Sequence, residues 1–337
     1  MTTKDIANKS GYAVGTVSRV LNGHPSVSPE ARAKILAVVR ENNFTPNSNA
    51  KHLKQQVSSG IAIIVKGARN ILFAGILELL QAEIQKHNYA AFVNYLEEED
   101  NEVLYARRLC RERRPLGILF LGSRLPLFQE SFRGIEVPCV LITNSAARLG
   151  FPNLASVSTD DALAAETCIR YLVERGHRSI GVLGGVLASG DLSNTRLAGC
   201  EREFANRGLP FDRSHHYQAA RFSLESGYAA MEKLLISLPG MTAVFAFSDA
   251  MAIGALRALQ DHGRRVPEDI SLVGYDGTEL SRYSIPRLTT VRQDERALAQ
   301  RGVALLLAQI EDGAVAVYET VPFCLLDGES VKNLKKR

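Results

Sequence analysis

From residue 61 onward, short apolar runs alternate with amphipathic ones, and the whole alternation occurs twice. The first half has IAIIV (61–65), AAFVNY (90–95), GILFL (117–121) and CVLI (139–142), with helical periodicity over 71–86 and 101–113. The second has SIGVLG (179–184), AVFAF (243–247) and ISLVGY (270–275), interleaved with 194–207, 226–237 and 250–262. Strands separated by helices are parallel crossovers rather than hairpins, so each half predicts an α/β lobe with helices on both faces of a parallel sheet. Such sheets bind ligands beyond the carboxyl ends of their strands. Two lobes around a cleft form a hinged clamp that can close on a small molecule.

The first strand starts near residue 60 of 337, which leaves room for a small module ahead of it. Residues 4–11 (KDIANKSG) predict a short helix ending at Gly11, and Val14 to Asn22 a second one ending at Gly23. Val17, Val20 and Leu21 fall on one helical stripe and face inward. Val14, Gly15, Ser18, Arg19 and Asn22 fall on the other face. A third helix starts with Ser28 as cap and Pro29 in its first turn, and turns Ala31, Ile35, Val38 and Val39 to the core. Two short helices joined by a tight turn and closed by a third make a helix-turn-helix unit, whose second helix enters the major groove. Charge agrees with this. The chain nets +4, but the segment through Ser58 nets +5 and the rest −1, the asymmetry of a nucleic-acid reader on a neutral body.

Other classes are disfavoured. The sequence contains no run of about 18 uncharged apolar residues, the length needed to span a membrane. The start, MTTKDIANKSG, lacks a basic segment followed by an apolar one, so the expected location is the cytoplasm. Cys110, Cys139, Cys168, Cys200 and Cys324 are scattered in apolar contexts and are expected to be buried reduced thiols. His215-His216 is expected to be a surface pair, and no metal or cofactor is expected. There is no GxSxG elbow, P-loop, HExxH or GxGxxG following a strand, which argues against an enzyme.

The residues TTKDIANKSG, TVSRVLNG and VSPEARAKILAVVRENNFTPN, with their spacing, resemble the DNA-binding headpiece of the LacI/GalR family of bacterial transcriptional regulators. One departure is Gly11-Tyr12-Ala13, where the family usually has Gly-Val-Ser. Alanine there forgoes a helix cap worth roughly 0.5–2 kcal/mol. The resemblance implies that Val14, Gly15, Thr16, Ser18, Arg19 and Asn22 face DNA. It also implies that PNSNAKHLKQQVSSG is the hinge helix and linker, with Lys51 and the wedge residue Leu53 contacting DNA. Residues 47–54 make about two helical turns, too short to be stable alone, so they are expected to fold only when paired on DNA.

The likeness continues through YLVERGHRSIGVLGG, NTRLAGC, SLESGYAAM, TAVFAFSDAMAIGAL, VPEDISLVGYDG and PRLTTVRQ. It implies a two-lobed body like that of periplasmic sugar-binding proteins. The expected division is a headpiece over 1–46, a hinge helix and linker over 47–59, and a body over 60–337. The first lobe would take 60–159 and 290–318, and the second 160–289 and 319–330. Motif positions place Phe73, Arg196, Phe222 and Asp276 in the effector cleft. Asp249 is either an effector contact or a helix cap, and Asp160 is equally ambiguous. Asn70-Ile71-Leu72-Phe73 departs from the family's Asn-Pro-Phe-Phe, and with no Trp any ring stacking falls to Phe or Tyr. The expected function is a homodimeric repressor of palindromic double-stranded operator DNA, switched by a sugar or sugar derivative. A nucleoside or purine-type effector, an enzyme and a plain solute-binding protein are the alternatives.

Overall fold

The computed structural model describes residues 3–21, 27–42, 60–67, 70–187 and 191–335. Two compact units divide the chain, one up to Val57 and one from Ser58 on.

In the first unit, α1 (Thr3–Ser10), α2 (Val14–Leu21) and α3 (Pro29–Glu41) close around Ile6, Ala7, Val17, Val20 and Ile35. Leu21, Val38 and Val39 pack at the edge of that cluster, as their periodicity predicts. Gly11 takes a positive φ of 75° and donates its N–H to the Ala7 carbonyl, which ends α1 and turns the chain toward α2. The Ser28 hydroxyl accepts from the Ala31 N–H and caps α3. Lys9 donates to Asn42 and so ties the end of α1 to the end of α3. Asn22, Lys51, Leu53 and the hinge segment 47–54 lie outside the described residues.

The second unit has two six-stranded sheets of one design. The first contains β1 (Gly60–Lys66), β2 (Ala90–Leu96), β3 (Gly117–Leu121), β4 (Cys139–Ile142), β5 (Leu154–Thr159) and β11 (Tyr318–Val321). Its order is β11-β5-β4-β3-β1-β2 and every pairing is parallel. The second contains β6 (Ile180–Gly184), β7 (Tyr217–Ala219), β8 (Ala243–Ala246), β9 (Ser271–Asp276), β10 (Thr289–Gln293) and β12 (Phe323–Leu326). Its order is β12-β10-β9-β8-β6-β7, and only β12 runs antiparallel. Strand β1 shows why both faces are covered: Ile61, Ile63 and Val65 enter one core, while Ala62 and Ile64 enter the other.

Helices α4 (Ile71–Lys86), α5 (Glu102–Arg113) and α6 (Leu125–Ser131) cover the first sheet. Helices α7 (Asp161–Glu174), α8 (Asp191–Asn206), α9 (Arg213–His216), α10 (Leu224–Ser237), α11 (Asp249–Asp261) and α12 (Glu279–Tyr283) belong with the second. The last helix, α13 (Glu295–Glu311), returns to the first lobe and packs against α4.

Three connections cross between lobes, and two lie later in the chain than the sequence suggests. The first follows Thr159, the last residue of β5. The second falls after Gln293 rather than near 289, because residues 289–292 pair with β9 and Val291 is buried in the second lobe's core. The third falls at Pro322 rather than near 319, because residues 318–321 pair with β5 while 323–326 pair with β10. All five cysteines are free; Cys139, Cys168 and Cys200 are buried, whereas Cys110 and Cys324 are only half-buried. Of the histidine pair, His215 is exposed beside Asp212, and His216 packs on Phe211. Among the described residues no helix is long and apolar enough to cross a membrane.

Candidate functional sites: a groove-reading helix and an inter-lobe cleft

Helix α2 is amphipathic in the sense that groove reading needs. Val17 and Val20 are buried, whereas Val14, Gly15 and Arg19 are exposed and Thr16 and Ser18 half-exposed. The Ala13 carbonyl accepts from both Thr16 and Val17 and starts the helix. A side chain added at Gly15 would meet nothing within 4 Å. Gly15→Ala is therefore expected to stabilise the unit by roughly 0.5–1 kcal/mol, since glycine is costly inside a helix. It should also weaken DNA binding if that face approaches bases. Thermal melting and operator titration check the pair of outcomes; a gain in stability with unchanged DNA affinity would remove Gly15 from the interface.

The cleft follows from strand order. In both sheets the order reverses beside the first strand of the lobe, and the crevice at that reversal opens at the strands' carboxyl ends. In the first lobe that point lies between β1 and β3, where Gly67 and Gly122 end the strands. Phe73, half-buried in the first turn of α4, packs over both. Gly122 has a φ of 84°, and a Cβ there would lie 2.3 Å from the Lys66 carbonyl oxygen and 2.5 Å from the Phe73 ring. Only glycine fits. In the second lobe the reversal lies between β6 and β8. Phe222 flanks Gly185 there, and Ser193 leaves no room for a Cβ at that glycine.

Arg196, on α8, is 2% exposed and held from three sides. Its Nε donates to Asp161 Oδ1 at 2.8 Å, an η nitrogen donates to the Phe247 carbonyl, and its guanidinium stacks 3.7 Å above the Tyr275 ring centre. Tyr275 also donates its hydroxyl to Asp161 Oδ1 at 2.8 Å. Burial opposes a charge on Arg196, but Asp161, with Tyr275 and Asp276, outweighs it and keeps the group protonated. Asp276 ends β9 with a φ of 109°, a conformation rare outside glycine. Burial raises its carboxyl well above the ordinary range, against the pull of Arg196. The result is a poised pair: a rigid guanidinium and a carboxylate whose charge a hydrogen-bonding ligand would stabilise.

Asp249 is not presented to the cleft. It is fully buried, with Oδ1 accepting from the Thr290 hydroxyl at 2.6 Å and Oδ2 from the Thr278 N–H and hydroxyl at 2.6 and 2.9 Å. Nor is it the cap, because Ser248 accepts from the Met251 N–H. Its carboxylate ties α11 to the 277–278 turn and to β10. The ambiguity at Asp160 resolves the other way: Asp160 caps α7 by accepting from the Leu163 N–H.

Burial pushes the Asp249 carboxyl from 3.8 up to about 6, against the donors from Thr290 and Thr278. As pH rises through this window the unfolded chain loses the proton first, so stability falls between about pH 4 and pH 6. The rise corresponds to about 3 kcal/mol, and Asp276 contributes with the same sign. Asp249→Asn should flatten the fall in melting temperature over that range. Equal slopes in parent and variant would assign the effect elsewhere.

Several cleft residues escape a motif reading. Thr143, at the carboxyl end of β4, has a φ of 76° despite its branched Cβ, and it lies with Asn144 at the mouth of the first sheet. Ser193, Asp161 and Gln293 are others. A cavity of about 400 Å³ opens between the lobes one residue beyond Asp276, lined by Gly277, Arg282, Arg292 and Gln293 on one side and Glu295 and Arg296 on the other. Phe73, Arg196 and Phe222 do not line it. At the rim, Arg221 reaches Glu98 and Glu99 across the cleft at 3.7 and 3.6 Å; at such exposure these pairs contribute little.

A small basic helix-turn-helix unit joined to a two-lobed clamp defines a ligand-controlled DNA-binding regulator. Residues 2–47 match the family described as bacterial regulatory proteins, lacI family, and residues 169–331 match the periplasmic binding protein-like domain. The HTH-type transcriptional regulator MalR of Clostridium butyricum is 35% identical over 92% of this chain and 93% of its own. The lac repressor dimer bound to operator and the anti-inducer ONPF superposes with a TM-score of 0.79, at 27% identity over 98% of this chain and 99% of that one. A complex of the transcriptional regulator CelR with cellobiose gives 0.71, at 26% identity over 98% and 99%. The chain belongs to the lacI family of bacterial regulatory proteins, and it is a transcriptional regulator rather than an enzyme.

Proposed function

We propose that this chain acts as a homodimeric repressor in which residues 1–46 read an operator half-site and residues 60–337 hold a sugar between two lobes. On this reading Val14, Gly15, Thr16, Ser18, Arg19 and Asn22 face the major groove. Lys51 and Leu53 of the hinge segment follow the DNA backbone and the minor groove. A single helix-turn-helix reads only one half-site, so a palindrome requires a two-fold pair. The operator-bound dimer of the lac repressor supports that arrangement.

Asp276 carries the effector assignment. A buried carboxylate at a strained strand end, beside a clamped guanidinium, is well suited to neighbouring hydroxyls, with Phe73 and Phe222 for the apolar C–H faces of a ring. Cellobiose bound to the CelR relative favours a sugar over a nucleoside. A ligand that touches both lobes favours closure only by the contacts it gains there. Closure moves the first lobe, whose β1 begins at Gly60 directly after the hinge segment. A thermal-shift screen of the intact chain against mono- and disaccharides, sugar phosphates and nucleosides tests the class. Stabilisation by a nucleoside and by no sugar would overturn it.

A further inference from the structure

Thr159, Gln293 and Asp276 form a hydrogen-bonded row, and each is at most 4% exposed. The Thr159 hydroxyl donates to Gln293 Oε1 at 2.9 Å, and Gln293 Nε2 donates to Asp276 Oδ1 at 2.9 Å. The amide thus meets a carboxyl oxygen with its NH2 group and the threonine hydroxyl with its Oε1.

Position gives this row its meaning. Thr159 is the last residue of β5 and Gln293 the last of β10, so each stands where the chain leaves one lobe for the other. One side-chain amide therefore cross-braces two of the three inter-lobe connections, and its far end rests on the carboxylate at the cleft. Nearby, Asp161 holds Arg196 from the first turn of α7, immediately after the same first connection. Both polar side chains assigned to the ligand are thus anchored within three residues of one pivot.

We propose that Gln293 is a positioning residue that couples occupancy of Asp276 to the angle between the lobes, an inference that rests on the effector-cleft reading above. A ligand hydroxyl placed on Asp276 Oδ1 competes with Gln293 Nε2 for that oxygen. The amide is buried, so it must keep or replace each partner, and it follows the carboxylate only if the two connecting strands shift with it. Thr159 touches no ligand atom in this scheme. It acts only through Gln293.

The test uses spin labels at Lys86→Cys on α4 and Ile236→Cys on α10. Both parent side chains are exposed, one in each lobe. The half-buried thiols are removed as Cys110→Ser and Cys324→Ser, and the labelled intact chain is diluted into unlabelled protein. The parent should give one narrow distance distribution without any ligand. Thr159→Val and Gln293→Leu should broaden it or displace its centre, and Thr159→Ser should restore the parent profile. Asp276→Ala should disturb the parent but add nothing to Gln293→Leu. A Thr159→Val profile that superposes on the parent, or an Asp276→Ala effect that persists in full with Gln293→Leu, would overturn the coupling. Thr159→Val is nearly isosteric, so it decides the matter even if Gln293→Leu does not fold. No effector is needed, so a sugar that fails to bind would count against the effector assignment and not against this one.

Discussion

Arg19→Ala is expected to weaken operator binding by roughly 1–3 kcal/mol per half-site, about 5–150-fold, while leaving affinity for unrelated DNA almost unchanged. Arg19 lies near the end of α2 on the face opposite Val17 and Val20, exposed, so its planar fork is available to the acceptors of guanine. Two such contacts per dimer make this the largest single effect expected on DNA recognition. Anisotropy titrations on operator and scrambled duplexes at several salt concentrations separate the possible roles. A base contact leaves the salt slope unchanged. Equal losses on both duplexes, with the slope reduced by about one, would assign Arg19 to a phosphate.

Asp276→Ala should lower sugar affinity by roughly 10–150-fold, the usual loss for hydrogen bonds to a charged group. The net cost to the fold should be small, because burial already disfavours a carboxylate at Asp276 and relief of that burial offsets the acceptor lost to Gln293 Nε2. Arg196→Ala differs in kind. It strands Asp161 in the interior without its cation, and removing one member of a buried pair costs roughly 3–5 kcal/mol. Comparing melting temperatures with calorimetric affinities therefore separates recognition from stability: Asp276→Ala should lose the ligand and keep its melting temperature, and Arg196→Ala should lose both. Undiminished affinity of Asp276→Ala for the sugar would move the binding site elsewhere.

These two positions also show what a sequence of this kind discloses. Arg19, Val17 and Val20 are legible because a short helix on a small core has one buried stripe, which periodicity locates. The strands are legible for a similar reason: GILFL (117–121) and CVLI (139–142) match the observed elements residue for residue. Asp276 and Arg196 are legible only through the motifs that contain them. Asp249 looks from the sequence like a carboxylate at a strand end, and only the placement of Thr278 and Thr290, 29 and 41 residues further along, turns it inward. Gln293 and Thr159 are 134 residues apart, and no local pattern links them. The ends of the second and third connections are not legible in the sequence, because strand pairing, unlike strand existence, is decided by partners remote in the chain. The strained φ of Thr143 leaves no trace in composition.

The DNA-reading unit and the ligand clamp share one chain, and occupancy of the clamp controls DNA binding. The most direct measurement titrates an operator, selected from random duplexes by the intact chain, with and without a saturating sugar from the thermal-shift screen. A change in operator affinity of about 5–150-fold is expected, equivalent to a coupling of roughly 1–3 kcal/mol, and the sugar's own affinity should differ by the same factor between free and operator-bound protein. A sugar that binds the cleft by calorimetry yet leaves operator affinity unchanged would contradict that control.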